Sequence, residues 1–433
     1  MRLTFTDRLW LAGYSLLLVL LLPTTLYHLV WRGMRQREYL QRWDERFAFY
    51  PTGGGAGALW LHAVSVGEVN AAAPLVRALR AAHPDRPLLL TTVTPTGSAR
   101  AQALFGDDVR QVYLPYDTPG AVRHFLDHFG PRLAVVLETE LWPNLYVETA
   151  RRGIPLLIVN ARLSERSMRG YRWIRPLVRI ALKAVTQVAA QARADLDRYV
   201  QLGLDPARGS VPGNLKYDQD VPAGLAEQGA QWRARWGGRP VWIAASTHPE
   251  EEAAVLAAHA GLLKRWPDAL LLWAPRHPER FERVVEQAAA AGLRVGRRTR
   301  EREPGADTQC FVVDTLGELM AFYAAADVAF VGGSLQPIGG HNLLEPAALG
   351  VPMVVGPHTF NFADITARLH DAGAVQYIDD ASALGSAVAA LLADPDTRRA
   401  RGEAGRASLA GERGALARTL ALVESALSAT NGA

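Results

Sequence analysis

Residues 330–357 read FVGGSLQPIGGHNLLEPAALGVPMVVGP. The apolar run 327–331 predicts a buried strand. Gly332, Gly333 and Ser334 interrupt it, and Gly339 and Gly340 follow. A helix-forming run over 342–349 comes next; Gly350 stops it, and 351–355 predicts another strand. Strand, glycine-rich loop, helix, strand is the repeating unit of an open α/β sheet. Such a loop lets backbone N–H groups approach an anion, and the helix start adds a favourable partial charge. Glu345, one turn into that helix, is placed to accept hydrogen bonds from a ribose. The competing reading is a tight turn with no ligand.

The same alternation extends both ways. Upstream, strands are predicted at 59–64, 88–93, 109–114, 133–137, 154–160 and 185–190, with helical patterns between them. Residues 202–212 read as a junction. The second half has strands at 241–245, 270–274, 292–295 and 311–313, then the 327–355 unit, a late strand at 375–378, and a helical stretch over 394–428. This is a doubly wound parallel sheet, met twice. A chain of 433 residues is too long for one core, so two domains are expected. Ligands of open α/β sheets bind at the carboxyl ends of strands. Polar groups are predicted there: Glu68, residues 94–98, Glu138, Glu140 and Asn160. Glu68 opens a helix after a Ser-Val-Gly turn, a location that favours an ionised carboxylate and a general base. It also fits a first-turn glutamate that merely favours the helix dipole.

Other chemistry is excluded or weakened. No G-x-G-x-x-G follows a strand, which argues against a dinucleotide enzyme. The single cysteine, Cys310, excludes an intrachain disulfide and a multi-cysteine metal site. The histidines are too dispersed to argue a metal site from spacing. The net charge of +4 suits phosphates or an anionic membrane surface. Residues 9–30 contain no Asp, Glu, Lys or Arg. As one helix they would span about 33 Å, enough for a bilayer core. Arg32, Arg35, Arg37, Arg42 and Arg46 follow directly, which places the remainder of the chain on the cytoplasmic side; a core helix of a soluble domain is the alternative. Arg162, Arg166, Arg169, Arg172, Arg175, Arg179 and Lys183 recur at helical spacing and predict one basic face, suited to a phosphorylated lipid or to plain solvation. No aromatic-rich basic groove points to nucleic acid.

The segments WLHAVSVGEVNAA, TPTGS, ETELWPNL, NARLSERSMRGY, GNLKYD, AASTHPEEE, WAPRHPERF, GELMAFYAAADVAFVGGS, GGHNLLEPAALGVP and GPHTFNF, in that order, together resemble the 3-deoxy-D-manno-octulosonic acid (Kdo) transferases. The resemblance runs from the N-terminal apolar segment to about Asp379. It implies a GT-B fold: two Rossmann-like domains facing a cleft, with an N-terminal membrane anchor helix. The implied division is 1–31 anchor, 32–57 basic juxtamembrane segment and linker, 58–212 acceptor-binding domain, and 213–433 CMP-sugar-binding domain. It implies inverting, metal-independent transfer of Kdo from CMP-Kdo to the lipid A precursor at the cytoplasmic face of the inner membrane, with no cofactor. Glu68 of SVGEV resembles the base for the acceptor hydroxyl. Glu138 of ETE and Lys216 of GNLKYD resemble transition-state stabilisers. Pro275 and Arg276, then Leu316, Gly317 and Glu318, then Asn342, Leu343, Leu344 and Glu345 resemble CMP contacts. The basic residues Arg162, Arg166, Arg169 and Arg172 suit the lipid phosphates. Two other classes remain open on these residues: a UDP-sugar transferase of the same fold, and a membrane-anchored protein that binds nucleotide or lipid without turnover.

Overall fold

The computed structural model describes residues 1, 3–50, 57–218, 221–411 and 413–431. Most of the expected Gly-rich linker (residues 51–56) and Arg2 lie outside these. Short apolar runs form fourteen parallel strands among the described residues. The first sheet contains β1 (Leu59–His62), β2 (Leu88–Thr92), β3 (Arg110–Tyr113), β4 (Leu133–Leu137), β5 (Leu156–Ala161), β6 (Gln187–Ala190) and β7 (Gly209–Ser210). The second contains β8 (Val241–Thr247), β9 (Leu270–Pro275), β10 (Val295–Arg297), β11 (Cys310–Val312), β12 (Val328–Val331), β13 (Met353–Val355) and β14 (Val375–Tyr377). Their orders are β3-β2-β1-β4-β5-β6-β7 and β10-β11-β9-β8-β12-β13-β14. Helices cover both faces, so β1, β2, β4, β5, β9 and β12 are buried along their whole length, as strands of parallel sheets are. Only β7, two residues long, had no counterpart in the sequence pattern.

Each sheet reverses its winding once, between β1 and β4 in the first and between β8 and β12 in the second. Beyond the carboxyl ends at such a reversal the flanking connections diverge and leave a crevice. Three non-glycine residues near strand ends adopt the left-handed region: Glu138 after β4 (φ 56°), Asn160 in β5 (φ 51°) and Ser246 in β8 (φ 57°). Asn160 and Ser246 fall at register shifts in their ladders. Irregularities of this kind re-aim side chains where a sheet ends.

The chain divides into two units, 1–218 with 413–433, and 219–412. The division falls after Asp218, not after Pro212, and the final helix Ala415–Asn431 joins the first unit rather than the second. The expected helix over 394–428 is instead two, Pro395–Ala410 and Ala415–Asn431. The return is held by polar and apolar contacts together. The Asp218 carboxylate accepts from the Gly414 N–H at 2.7 Å and from the Leu416 N–H. Arg418 donates twice to the Pro212 carbonyl, at 2.9 and 2.7 Å. Val423 and Leu427 are buried in the cluster that holds Val69, Leu75 and Leu79 of helix Val66–Ala82.

The expected single helix over 9–30 is replaced by two, α1 (Phe5–Leu20) and α2 (Leu22–Arg35), bent by 47°. Pro23 at the start of α2 lacks an N–H and cannot continue the preceding turn, so the break comes there. No single helix among the described residues is long and apolar enough to cross a membrane; this bent pair passes by length and composition together. α1 is tied to the first unit. Tyr14 donates to Asp117 Oδ2 at 3.0 Å, Ser15 to Asn144 Oδ1 at 3.1 Å, and Lys183 Nζ to Asp7 Oδ2 at 2.8 Å. Asp117 is itself buried and accepts from the N–H groups of Asn144 and Leu145 at the start of helix Pro143–Arg151. The other side of α1 leaves Phe5, Leu9, Trp10, Leu16, Leu17 and Leu20 exposed.

Truncating Leu427 to Ala should lower the stability of the first unit by about 2 kcal/mol, the low end for a buried leucine. Chemical denaturation of the full chain measures this; an unchanged midpoint would mean that the last helix contributes no packing.

Candidate active site

The polar groups at the two winding reversals are of opposite character. In the first unit, Ser65 caps helix Val66–Ala82 and Glu68 falls in its first turn. The Glu68 carboxylate turns back and accepts the Val64 N–H at 2.5 Å and the Ser65 hydroxyl at 3.4 Å. The helix start alone predicts a carboxylate that ionises easily. The structure reverses that: burial, reinforced by the charges of Glu138 and Glu140, pushes Glu68 up to about 7, against the pull of the Val64 N–H. Desolvation disfavours the charged form more than one hydrogen bond restores it. Glu140 is pushed up to about 7 as well, by burial first and Glu138 next. Glu138 is in an ion pair with Lys216 at 3.1 Å. Lys216 is presented by the turn Leu215–Tyr217, capped by Asn214. The site is three carboxylates and one ammonium, in which Glu68 and Glu140 keep a proton near neutrality.

Tyr146 and Tyr199 donate to the backbone carbonyls of Glu140 and Glu138 and fix the turn that carries them. Asn160 is fully buried, and its Oδ1 accepts the Leu215 N–H at 3.0 Å, which seats the Lys216 turn against β5. The expected basic helix is interrupted: Glu165–Trp173 and Arg175–Ala184 meet at Ile174, two residues before Pro176. Arg166, Arg169 and Arg172 are exposed along the first of these, and Arg162 precedes it. On its inner side Tyr171 is half-buried, and burial together with the charge of Glu140 raises its phenol. Trp173 is 90% exposed at the end of that helix.

In the second unit the glycine-rich loop does not do what its sequence suggests. The N–H groups of Gly333, Ser334 and Leu335 converge on the carboxylate of Glu251, at 2.7, 3.0 and 3.0 Å. Glu251 is fully buried and also accepts the His248 N–H at 3.0 Å. The loop is thus an anion cradle already filled by the protein's own carboxylate. A Cβ on Gly332 would stand 2.7 Å from the Ser246 carbonyl and 2.8 Å from Glu251; glycine is needed there for the protein's contacts rather than a ligand's. Gly339 and Gly340 donate to the Gly333 carbonyl at 3.1 and 2.7 Å.

The residues expected at a nucleotide cluster by segment. Pro275 ends β9, and Arg276 follows, exposed. The helix expected over 342–349 begins only at Leu344. Asn342 precedes it; its Nδ2 donates to Glu345 Oε1 at 3.0 Å, and its Oδ1 accepts the Leu344 N–H at 3.1 Å. Leu343 and Leu344 are buried, so they present backbone rather than side chain. Burial pushes the Glu345 carboxyl up. Leu316 is 74% exposed and Gly317 adopts φ 87°. Glu318 is held by both guanidinium branches of Arg298, at 3.0 and 2.6 Å, which keep its carboxyl below the usual range. Among the described residues no group of three or more His, Cys, Asp or Glu side chains is arranged to hold a metal ion. Sequence reasoning missed Glu251, Arg298 and the pairing of His248 with His341; a histidine after β8 and another beside Gly339-Gly340 gave no signal of meeting.

A raised carboxyl has a stability consequence with a definite sign. The Glu68 value lies above that of an unfolded glutamate, so its stabilising contribution is full below pH about 4.5 and is lost as pH rises through about 7. Glu68→Gln should therefore unfold at higher denaturant than the native chain at pH 8, by on the order of 2 kcal/mol, and like it at pH 4.5. Equal stability at both pH values would mean that Glu68 titrates normally.

A family model described as 3-Deoxy-D-manno-octulosonic-acid transferase (kdotransferase) matches residues 41–219. A 3-deoxy-D-manno-octulosonic acid transferase of Haemophilus influenzae is 40% identical over 423 residues, 96% of this chain and 98% of that protein. The C-terminal CMP-Kdo binding domain of WaaA from Acinetobacter baumannii is 39% identical, covering 43% of this chain and 98% of that domain, with a TM-score of 0.41. A glycosyltransferase from Rickettsia africae shares the two-sheet fold at 13% identity, with a TM-score of 0.51 over 86% of this chain and 99% of its own. Identity at the Haemophilus level, sustained over nearly the full length of both proteins, establishes that the chain belongs to the Kdo transferase family of glycosyltransferases.

Proposed function

We propose that this Kdo transferase moves Kdo from CMP-Kdo to the lipid A precursor, lipid IVA, by an inverting, metal-independent displacement at the cytoplasmic face of the inner membrane. The observation that carries the reading is the Glu68 carboxyl, poised at about 7 beside the Glu138–Lys216 pair. A general base works best with its pKa near the working pH. Ionised Glu68 takes the proton of the acceptor hydroxyl while that oxygen attacks the anomeric carbon. The bond from that carbon to the phosphate oxygen breaks, and its electron pair leaves with CMP. Lys216 and Glu138 hold a paired charge beside the reacting groups, ready to respond as negative charge moves from acceptor to phosphate. The unit 219–412 takes the donor: Arg276 meets its phosphate, Asn342 and Glu345 its ribose, and the exposed 316–317 turn its base. The unit 1–218 takes the acceptor, with Arg162, Arg166, Arg169 and Arg172 toward the lipid phosphates.

Membrane attachment follows from the exposed apolar side of α1, the aromatic residues Tyr27 and Trp31 of α2, both exposed, and the arginines after them. Because α1 is tied to Asp117, Asn144 and Lys183, the pair is read as embedding in the near leaflet, with the body of the protein on the cytoplasmic side. Trp173, exposed among arginines, adds a second apolar contact with the bilayer surface.

Product mass after incubation with CMP-Kdo and lipid IVA tests the reaction: a gain of one or more Kdo masses is expected, and no gain with CMP still bound would move the reading to another acceptor. Glu68→Gln should cut the rate roughly 10²–10⁴-fold and leave CMP affinity unchanged. The native rate should rise with pH through about 7, because the base must be ionised; a flat profile would remove Glu68 from that role. Replacing Arg166, Arg169 and Arg172 together by Gln should raise the KM for lipid IVA about tenfold or more without changing the KM for CMP-Kdo. An unchanged acceptor KM would leave these residues as a solvated face.

A further inference from the structure

His248 and His341 come from different segments, 93 residues apart, and meet beyond the carboxyl ends of β8 and β12. Their Nε2 atoms are 2.9 Å apart and their rings lie 1° from parallel. Two bare nitrogen lone pairs repel, and so do two N–H groups, so one proton lies between the rings and each keeps its Nδ1 side for another partner. His277 packs edge-on against His248, with centroids 5.3 Å apart. Arg276, next to His277, is exposed and makes no side-chain ion pair or hydrogen bond among the described residues. Four groups able to carry positive charge therefore gather at one place. The Glu251 carboxylate is spent on backbone N–H groups. Glycine at 333 admits the arrangement: a Cβ there would stand 2.9 Å from His341 Cδ2 and Nε2.

The surroundings favour the neutral form of both imidazoles. Burial lowers His341 to about 4, and the charges of His248, Arg276 and His277 act in the same direction. Burial also lowers His248; His277 and Arg276 lower it further, while Glu251 and Glu250 oppose them. A half-buried cluster of potential cations, short of counter-charge, favours an incoming anion through N–H donation and by taking up a proton.

We propose that the His248–His341 pair is an oxyanion seat for the donor, holding either the phosphate of the nucleotide or the carboxylate of the sugar. The assignment rests on unit 219–412 being the donor unit. It adds two residues beyond the expected nucleotide contacts, and it explains why Gly333 and Gly340 flank His341: the loop seats an imidazole that meets the anion in place of the backbone N–H groups occupied by Glu251.

The test is calorimetric titration of the full chain with CMP and with cytidine, for the native protein and for His248→Gln and His341→Gln, together with KM for CMP-Kdo. If the phosphate sits on the pair, each variant loses about tenfold or more in CMP affinity, the scale of one charge-assisted hydrogen bond, while cytidine affinity is unchanged. If the sugar carboxylate sits there, CMP and cytidine affinities hold and the KM for CMP-Kdo rises by a similar factor. Either result supports the seat. Equal losses for CMP and cytidine would show a structural pair and overturn it, as would no change in any of the three. A native protein that does not prefer CMP over cytidine would overturn the donor-unit reading as well; a native preference retained in both variants with the KM for CMP-Kdo also unchanged would remove only the histidines.

Discussion

Burying both faces of a parallel sheet is the constraint on which the rest of this protein depends. Residues of β1, β4, β8 and β12 have apolar neighbours above and below, so no charge can be placed along them without a large desolvation cost. Polar chemistry is confined to the strand ends, and within each unit the widest opening there is where the winding reverses. Glu68 follows β1 and Glu138 follows β4; His248 follows β8 and the glycine-rich loop follows β12. These pairs of strands are neighbours in space though distant in sequence. Topology thus brings together groups that the linear order separates.

Desolvation then decides what those groups can do. In the first unit it outweighs the helix start and pushes Glu68 and Glu140 up to about 7, while Glu138, paired with Lys216, has a counter-charge. In the second unit the fully buried carboxylate of Glu251 is satisfied by four backbone N–H groups. That consumes the N–H groups the loop could have offered an anion. One physical rule, that a buried charge must be matched, acts on the carboxylates of both units.

Much of this was legible in residue order. Runs of three to seven mostly apolar residues punctuated by Gly, Pro, Ser and Thr marked thirteen of the strands, because buried parallel strands need continuous apolar runs. The motif around Glu68 and the ETE segment marked the polar groups at the carboxyl ends of β1 and β4, because each follows an apolar strand directly. The errors share a cause. The N-terminal helix, the basic helix and the C-terminal helical stretch were each read as continuous from composition, and each breaks in two. Pro23 and Pro176 begin the second halves of the first two. Asp218 draws the last helix back onto the first unit, a contact across 196 residues that no local pattern announces.

By itself, then, the order of residues determined two doubly wound sheets, the polar groups at their strand ends, and the family, because these depend on local periodicity and on motifs read in line. Only the tertiary structure decided that Glu68 is raised rather than lowered, that the glycine-rich loop binds Glu251, and that His248 faces His341. Each of those depends on which distant segment supplies the neighbour and how far water is excluded. Burial and counter-charge are properties of a place in space, and no single stretch of chain contains them.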